Sequence, residues 1–280
     1  MRDKICLITG ANAGIGFVTA RALAKLGAMV ILLCRTARRG EQARLEIAAA
    51  TGNERVHLLP CDLSSQASIR EAVRRFHANF SSLHVLINNA AMYTEARALT
   101  ADQIELQFAT NYLSYFLLTR LLLEVMKASA PARIVNLSTI NHHDVSLDLA
   151  DLQSAKSYDP KPVHIRSKLA VILFTYELAR RLEGTGVTAN CLHPGVIATN
   201  LLGQVRRIPV HKRFTPEMGG DPPDEGAETP VYLATSPQVE SVTGKYFEDC
   251  KSVPSSAETY DRSLARRLWE ISAGLTGAAT

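Results

Sequence analysis

The chain of 280 residues has few cysteines, and none of them is close enough to another to suggest a pair. Their number is odd and no C-x-x-C spacing occurs, which argues against a disulfide framework and against a thiol-ligated metal. We therefore predict free thiols in a reducing compartment, the cytoplasm. The five cysteines are Cys6, Cys34, Cys61, Cys191 and Cys250.

Long apolar runs and a strong charge imbalance are also missing. The longest apolar stretch, 112–126, is interrupted by Arg120 and Glu124, which predicts a buried helix and no membrane span. The first residues have the pattern of a strand, so no signal peptide is expected. The net charge is only +4 and the basic residues are scattered, which argues against nucleic acid as a partner.

Short apolar runs alternate with helical patterns along the whole chain. The runs are continuously apolar, as expected for strands whose two faces are both covered by helices. The pattern predicts a single α/β domain, 1–280, with a doubly wound parallel sheet. The predicted strands are 4–9, 29–34, 55–60, 84–88, 132–137, 187–192 and 245–247. The predicted helices are 15–26, 37–50, 65–79, 100–128, 163–183 and 258–273, and the segment 100–128 is either one long helix or two abutting ones.

A glycine-rich segment, 9–16, joins the first predicted strand to the first predicted helix. Gly10 allows a sharp turn, Gly14 lets the backbone approach a pyrophosphate, and Gly16 lets the helix pack close to the strand. The N-terminus of the helix then offers free N–H groups to phosphate. This context predicts nucleotide binding.

The G-x-x-x-G-x-G spacing, led by a threonine, resembles the short-chain dehydrogenase/reductase family. Further motifs agree in chain order over essentially the whole length, and several resemble the retinol dehydrogenase branch. These motifs are Asn88-Asn89-Ala90-Ala91, Asn111, Ser138, Ser167-Lys168, His193-Pro194-Gly195-Val196 and Gly244-Lys245-Tyr246-Phe247. The resemblance implies a Rossmann-type sheet with strand order 3-2-1-4-5-6-7.

Basic residues follow the second strand, where an acidic residue would accept the ribose 2′-hydroxyl of NAD. Arg35, Arg38 and Arg39 stand there, and a guanidinium can bind a 2′-phosphate with two hydrogen bonds, which favours NADP(H). The alternative is that they are solvated charges at the start of a helix. The resemblance implies these cofactor-binding residues: Thr9, Gly10, Asn12, Gly14, Ile15, Gly16, Arg35, Arg38, Asp62, Leu63, Asn89, Ala90, Lys168, Pro194, Gly195, Val196 and Thr199.

The resemblance also implies a catalytic set, but its tyrosine is missing. Ser138, Lys168 and Asn111 match the serine, lysine and asparagine of the family, while His164 stands four residues before the lysine, where the tyrosine belongs. Tyr158 lies six residues before His164 and is weighed as a displaced tyrosine. His164 would lie in the first turn of a helix beside Lys168, and both features oppose a charged imidazolium.

Three functions remain open for a largely neutral His164. The first is an oxidoreductase that uses the histidine as its acid and base. The second is a redox-neutral isomerase, cyclase or lyase that uses His164 as a base. The third is a catalytically silent NADP(H)-binding protein.

The segment 195–225 is predicted to be a long loop that covers the substrate. Its apolar residues Leu201, Leu202, Val205, Ile208, Val210, Phe214 and Met218, with Met92, Tyr93 and Val145 on the opposite wall, predict a lipophilic carbonyl or alcohol. The 142–144 cluster His-His-Asp has no third ligand at a sensible spacing, so no metal is expected. The family resemblance leaves a homodimer or a homotetramer open.

Overall fold

In the computed structural model, which describes residues 1–206, 215–216 and 219–278, one mixed sheet forms the centre of the molecule. Its order is β3-β2-β1-β4-β5-β6-β7-β8, and every pairing from β3 to β7 is parallel. This confirms the predicted α/β class and the order of the first seven strands. The strands are β1 (Ile5–Thr9), β2 (Met29–Cys34), β3 (Val56–Pro60), β4 (Val85–Asn88), β5 (Ala132–Leu137), β6 (Val187–Leu192), β7 (Tyr246–Glu248) and β8 (Lys251–Val253).

Strand β8 was not predicted from the sequence. It pairs antiparallel with β7 across a turn in which Asp249 and Cys250 have φ angles of 46° and 61°. The usual pairs in such turns are Asn-Gly and Asp-Gly, and here the residue after Asp249 is a cysteine, not a glycine. The usual sequence signal for the hairpin was therefore missing.

Ten α-helices are seen in the described part of the chain. They are α1 (Gly14–Lys25), α2 (Ala37–Thr51), α3 (Gln66–Asn79), α4 (Leu106–Phe108), α5 (Ser114–Ala128), α6 (Pro160–Arg181), α7 (Asn200–Val205), α8 (Pro223–Gly226), α9 (Glu228–Thr235) and α10 (Arg262–Thr276). None of them is long and apolar enough to cross a membrane, among the residues that the structure describes.

Three predicted helix starts were wrong. The helix expected from residue 258 begins at Arg262, because the Asp261 carboxylate caps it by accepting the N–H groups of Ser263 and Leu264. The helix expected from residue 100 begins only at Leu106, because the Glu105 carboxylate caps it by accepting the N–H groups of Gln107 and Phe108. The helix expected from residue 163 begins at Pro160, since a proline in the first turn lacks only an N–H that would have no partner within the helix.

The predicted covering loop also needs correction. Within 195–225 the chain forms the short helices α7 and α8, so the segment is not irregular throughout. Leu201, Leu202 and Val205 lie in α7. The other apolar residues of the prediction, Ile208, Val210, Phe214 and Met218, lie outside the described residues.

Apolar side chains cover the sheet on both faces. One cluster joins the strands to α3, α5, α6 and α10, and Trp269 of α10 is completely enclosed there against Phe116 and Phe174. The second cluster joins the opposite face to α1, α2 and α9. Because both faces are occupied, the carboxyl ends of the parallel strands are left as the place for a site.

Candidate active site

The turn between β1 and α1 is shaped for close approach of backbone to a ligand. Gly10 and Gly14 have φ angles of +67° and +54°, which glycine adopts most readily. A Cβ on Gly16 would lie 2.5 Å from the amide nitrogen of Asn89 and 2.6 Å from the carbonyl oxygen of Gly10. Ala13, the cap of α1, provides no side-chain hydrogen bond, so the first N–H groups of α1 remain available to phosphate.

The hydroxyl of Thr9 ties this turn to the end of β4. It accepts the N–H groups of Asn89 and Ala90, both at 2.9 Å, while the amide of Asn89 donates to the Thr9 carbonyl at 2.8 Å. Thr9 is fully buried. Its place in the site is therefore to join β1 and β4 beneath the cofactor region, without lining the cavity itself.

Asn111 lies in a π-helical turn, Ala109–Leu113, between α4 and α5. Such turns are rare and occur frequently at functional sites. The Asn111 side-chain oxygen accepts the Met92 N–H at 2.8 Å, and its nitrogen donates to the Met92 carbonyl at 3.0 Å and to the Ser167 hydroxyl at 3.2 Å. Asn111 thus clamps the segment after β4 to α6.

His164 projects from the first part of α6 and is oriented by the same clamp. Its Nδ1 is 3.2 Å from the Met92 carbonyl oxygen and 3.4 Å from the Asn111 amide nitrogen. An N–H on Nδ1 that donates to this carbonyl leaves Nε2 of the neutral ring unprotonated. Nε2 is then the ring nitrogen left for the cavity that His164 lines.

The pKa of His164 is lowered to about 4, mainly by burial and also by the nearby charge of Lys168, while the Met92 carbonyl acts in the opposite sense. The imidazole is therefore neutral at pH 7, in agreement with the sequence-based expectation. The larger cause is burial, which the sequence did not reveal.

Lys168 lies one helical turn beyond His164 on the same face of α6. Its ammonium donates to the carbonyl of Leu137 at 2.9 Å and to the hydroxyl of Tyr115 at 3.2 Å. Burial lowers the pKa of Lys168 to about 7. The hydroxyl of Ser138 donates to the carbonyl of Lys168 at 2.8 Å, so serine and lysine are joined at the end of β5.

Tyr115 is a residue of the site that sequence reasoning missed. Its buried hydroxyl donates to the carbonyl of Ala90 at 2.9 Å and accepts from Lys168. The available signal was its position four residues after Asn111, on the same face of a helix. Tyr115 thereby connects the lysine to the segment that follows β4.

A single cavity of about 430 Å³ collects most of the predicted site residues. It runs from the phosphate-binding turn past the ends of β4, β5 and β6 to α7. The predicted residues that line it are Gly10, Asn12, Gly14, Ile15, Asn89, Ala90, Ser138, His164, Lys168, Pro194, Gly195, Val196 and Thr199. Thr199 also caps α7, and its methyl group lies against Gly14, which brings α7 to the phosphate-binding turn.

Other predicted cofactor residues lie outside this cavity. Arg35 and Arg38 are exposed after β2, and in the part of the chain with assigned structure neither forms an ion pair. Asp62 shapes the turn after β3, since its carboxylate accepts the N–H and the hydroxyl of Ser64 at 2.9 and 2.7 Å. Leu63 is buried beside it in the core.

The structure does not bring Tyr158 to the cavity. Its hydroxyl accepts from the amide of Gln107 at 2.8 Å and donates to the carbonyl of Thr94 at 3.1 Å. These bonds hold the segment before α6 against the segment after β4. The displaced-tyrosine alternative is therefore wrong, because the Tyr158 hydroxyl is used for support on the outside of the site.

His142, the first histidine of the pair after β5, supports the structure through hydrogen bonds to the backbone. His142 is fully buried, with Nδ1 2.7 Å from the Thr139 carbonyl oxygen and Nε2 accepting the Ser256 N–H at 3.0 Å. Both ring nitrogens are thus engaged. On the expected opposite wall, Tyr93 lines the cavity, whereas Met92 contributes its backbone groups and Val145 packs against the core.

Comparison with known proteins agrees with this geometry. The sequence model described as short chain dehydrogenase matches residues 4–208. The chain is 44% identical over 275 residues to retinol dehydrogenase 12 of Mus musculus, covering 98% of this chain and 86% of that protein. It is 41% identical over 280 residues to retinol dehydrogenase 11 of Homo sapiens, with coverages of 98% and 86%.

The crystal structure of an uncharacterized protein from Mycobacterium paratuberculosis is also similar to this chain. It has a TM-score of 0.79 and 34% sequence identity, and the match covers 99% of this chain and 94% of that one. The family match, the near-complete coverage of its relatives and the sheet order lead to one conclusion. The chain belongs to the short chain dehydrogenase family, whose members are oxidoreductases that use nicotinamide cofactors.

Proposed function

We propose that the chain is an NADP(H)-dependent oxidoreductase that acts on a lipophilic alcohol or carbonyl, with His164 in place of the usual tyrosine. One observation carries the proposal: His164, Ser138 and Lys168 line the same cavity as the phosphate-binding turn. The basic test is to incubate the protein with NADP⁺ and lipophilic alcohols, and with NADPH and the matching carbonyls. Turnover restricted to small polar substrates would contradict it.

The residues present fit a dinucleotide. The glycines of the β1–α1 turn, the uncapped start of α1 and the threonine that caps α7 would hold the pyrophosphate and the nicotinamide end. When bound, the nicotinamide donates or accepts the hydride. Lys168 would bind the ribose through its ammonium, which the Leu137 carbonyl and the Tyr115 hydroxyl already orient.

The substrate oxygen would lie between the Ser138 hydroxyl and Nε2 of His164. During oxidation the hydroxyl proton of the alcohol would pass to Nε2, which is unprotonated in the tautomer whose Nδ1–H donates to the Met92 carbonyl. During reduction the same nitrogen must first carry a proton. Because burial keeps the imidazole neutral, the ring can accept the alcohol proton near pH 7 but rarely carries the proton that reduction requires.

Selectivity for NADP(H) is proposed to depend on Arg35 and Arg38. We expect either residue, when changed to alanine, to weaken NADPH binding about tenfold and to leave NADH binding unchanged, since a hydrogen-bonded guanidinium contributes about 1.5 kcal/mol. Titration of both cofactors by fluorescence measures this. Arg44→Ala is the matched control, because Arg44 lies on α2, as Arg38 does, but pairs with Glu41 at 2.7 Å. Equal losses for NADPH and NADH would show that no 2′-phosphate is bound there.

The neutral His164 also favours a second candidate, a redox-neutral isomerase, cyclase or lyase with His164 as base. Substrate conversion with no net change in reduced nicotinamide would identify it. Tight NADPH binding without conversion of any substrate would identify the third, a catalytically silent protein.

Several finer features remain proposals. The apolar lining from Leu201, Leu202 and Val205 supports a lipophilic substrate. A cytoplasmic location is proposed from the five free thiols, of which four are buried. A homodimer or a homotetramer remains open and is checked by sedimentation.

A further inference from the structure

The charged groups around the cavity are all of one sign. Among its described lining residues are two lysines, Lys161 and Lys168, and no aspartate or glutamate. The role proposed for Lys168 accounts for its ammonium, which is buried and hydrogen-bonded. The proposed mechanism gives Lys161 no role, although its side chain lines the same space.

Lys161 lies in the first turn of α6, three residues before His164 and seven before Lys168. This spacing puts all three side chains on one face of the helix, with Lys161 about 4.5 Å farther along the axis than His164, towards solvent. No ion pair is formed by Lys161 with any carboxylate that the structure describes. The nearest acid in sequence, Asp159, caps α6 by accepting the Lys161 backbone N–H at 3.3 Å.

Apolar and polar groups accompany this lysine at the cavity wall. Ile140 and Val196 line the cavity and are 41% and 49% exposed, so both leave apolar surface uncovered at its wall. Asn141, next to Ile140, is exposed and lines the cavity as well. The lining therefore combines uncovered apolar surface, an amide donor and an ammonium without a counter-ion.

We propose that the substrate is an amphipathic acid, whose carboxylate is bound by Lys161 with Asn141 as a second donor. The apolar body lies along Ile140 and α7, and the alcohol or carbonyl at the other end reaches His164 and Ser138. This inference rests on the proposed oxidoreductase function and names its substrate class. A carboxylate is favoured because a single ammonium balances a single negative charge.

Ligand binding tests this without any turnover. The complex of the protein with NADPH, which can reduce neither compound, is titrated with n-octanoate and with n-octanol by calorimetry. We expect octanoate to bind more tightly than octanol, and Lys161→Met to weaken octanoate about fivefold while leaving octanol unchanged, since exposed ion pairs contribute only modestly. Lys161→Arg keeps the charge and the preference. Lys156→Met is the control, because Lys156 is exposed on the preceding segment and does not line the cavity.

Two results would overturn the proposal. The first is that octanoate binds no more tightly than octanol. The second is that Lys161→Met and Lys156→Met weaken octanoate binding equally. Oxidation of 8-hydroxyoctanoate with NADP⁺ is then measured separately. If octanoate binding depends on Lys161 but no hydroxy acid or alcohol is oxidised, the anion site stands and the proposed oxidoreductase function fails. If 8-hydroxyoctanoate and n-octanol are both oxidised with NADP⁺ and with equal KM, the function stands and the anion site fails.

Discussion

His164→Tyr is expected to raise the rate of carbonyl reduction with NADPH about a hundredfold at pH 7, because general acid catalysis contributes factors of this size. A tyrosine hydroxyl carries its proton at neutral pH, whereas His164 has a pKa of about 4 and is protonated in roughly one molecule in a thousand. Steady-state rates with a panel of lipophilic aldehydes and ketones measure the change.

The parent protein should show opposite pH dependences in the two directions. Reduction needs the protonated imidazole, so its rate should rise about tenfold for each pH unit from pH 8 down to pH 5. Oxidation needs the neutral imidazole, which predominates above pH 5. The oxidation rate should therefore not be reduced by protonation of His164 above pH 5. Because the pKa of His164 is lowered, the reduction rate rises towards acid pH and the oxidation rate does not fall until the pH approaches that pKa.

His164→Phe is the matched control, since phenylalanine has the shape of tyrosine without the hydroxyl. It should be inactive in both directions. The acid–base role would be contradicted if the reduction rate of the parent protein did not rise towards acid pH and the His164→Tyr variant reduced carbonyls no faster than the parent. A silent parent together with an active His164→Tyr variant would favour the redox-neutral or binding-only alternative.

Gly16→Ala is expected to weaken NADPH binding about a hundredfold, because overpacking of this kind costs up to about 3 kcal/mol. The added Cβ would meet the side chain of Asn89 and the backbone of Gly10, so α1 would be pushed away from the end of β1. The start of α1 would then no longer reach a pyrophosphate. Fluorescence titration gives the affinity, and circular dichroism shows that the fold is kept.

Gly274→Ala provides the comparison for this change. Gly274 lies inside α10, and an added Cβ there meets nothing within 4 Å. Alanine favours a helix over glycine by about 1 kcal/mol, so this variant should melt higher and bind NADPH as the parent does. If Gly16→Ala also bound NADPH normally, close packing of α1 on β1 would not be needed for the site.

The sequence was sufficient for the first seven strands of the sheet and for the phosphate-binding turn. Strands β2, β5 and β6 have the predicted bounds, because continuous apolar runs directly report burial on both faces. The glycines of the β1–α1 turn are readable for a similar reason: only glycine fits where a Cβ would clash or where φ is positive. The predicted catalytic residues line the cavity, apart from Asn111 behind it, and their roles remain predictions.

Only the tertiary structure decided how His164 is held and what surrounds it. The Met92 carbonyl that orients His164, the Tyr115 hydroxyl beside Lys168 and the outward attachment of Tyr158 join residues about 50 to 70 positions apart. Periodicity reports which face of an element is buried, but it does not say which donor meets which acceptor across the packed elements. That choice depends on how α5 and α6 pack at the ends of β4 and β5, and the same packing buries His164, which is the larger cause of its lowered pKa.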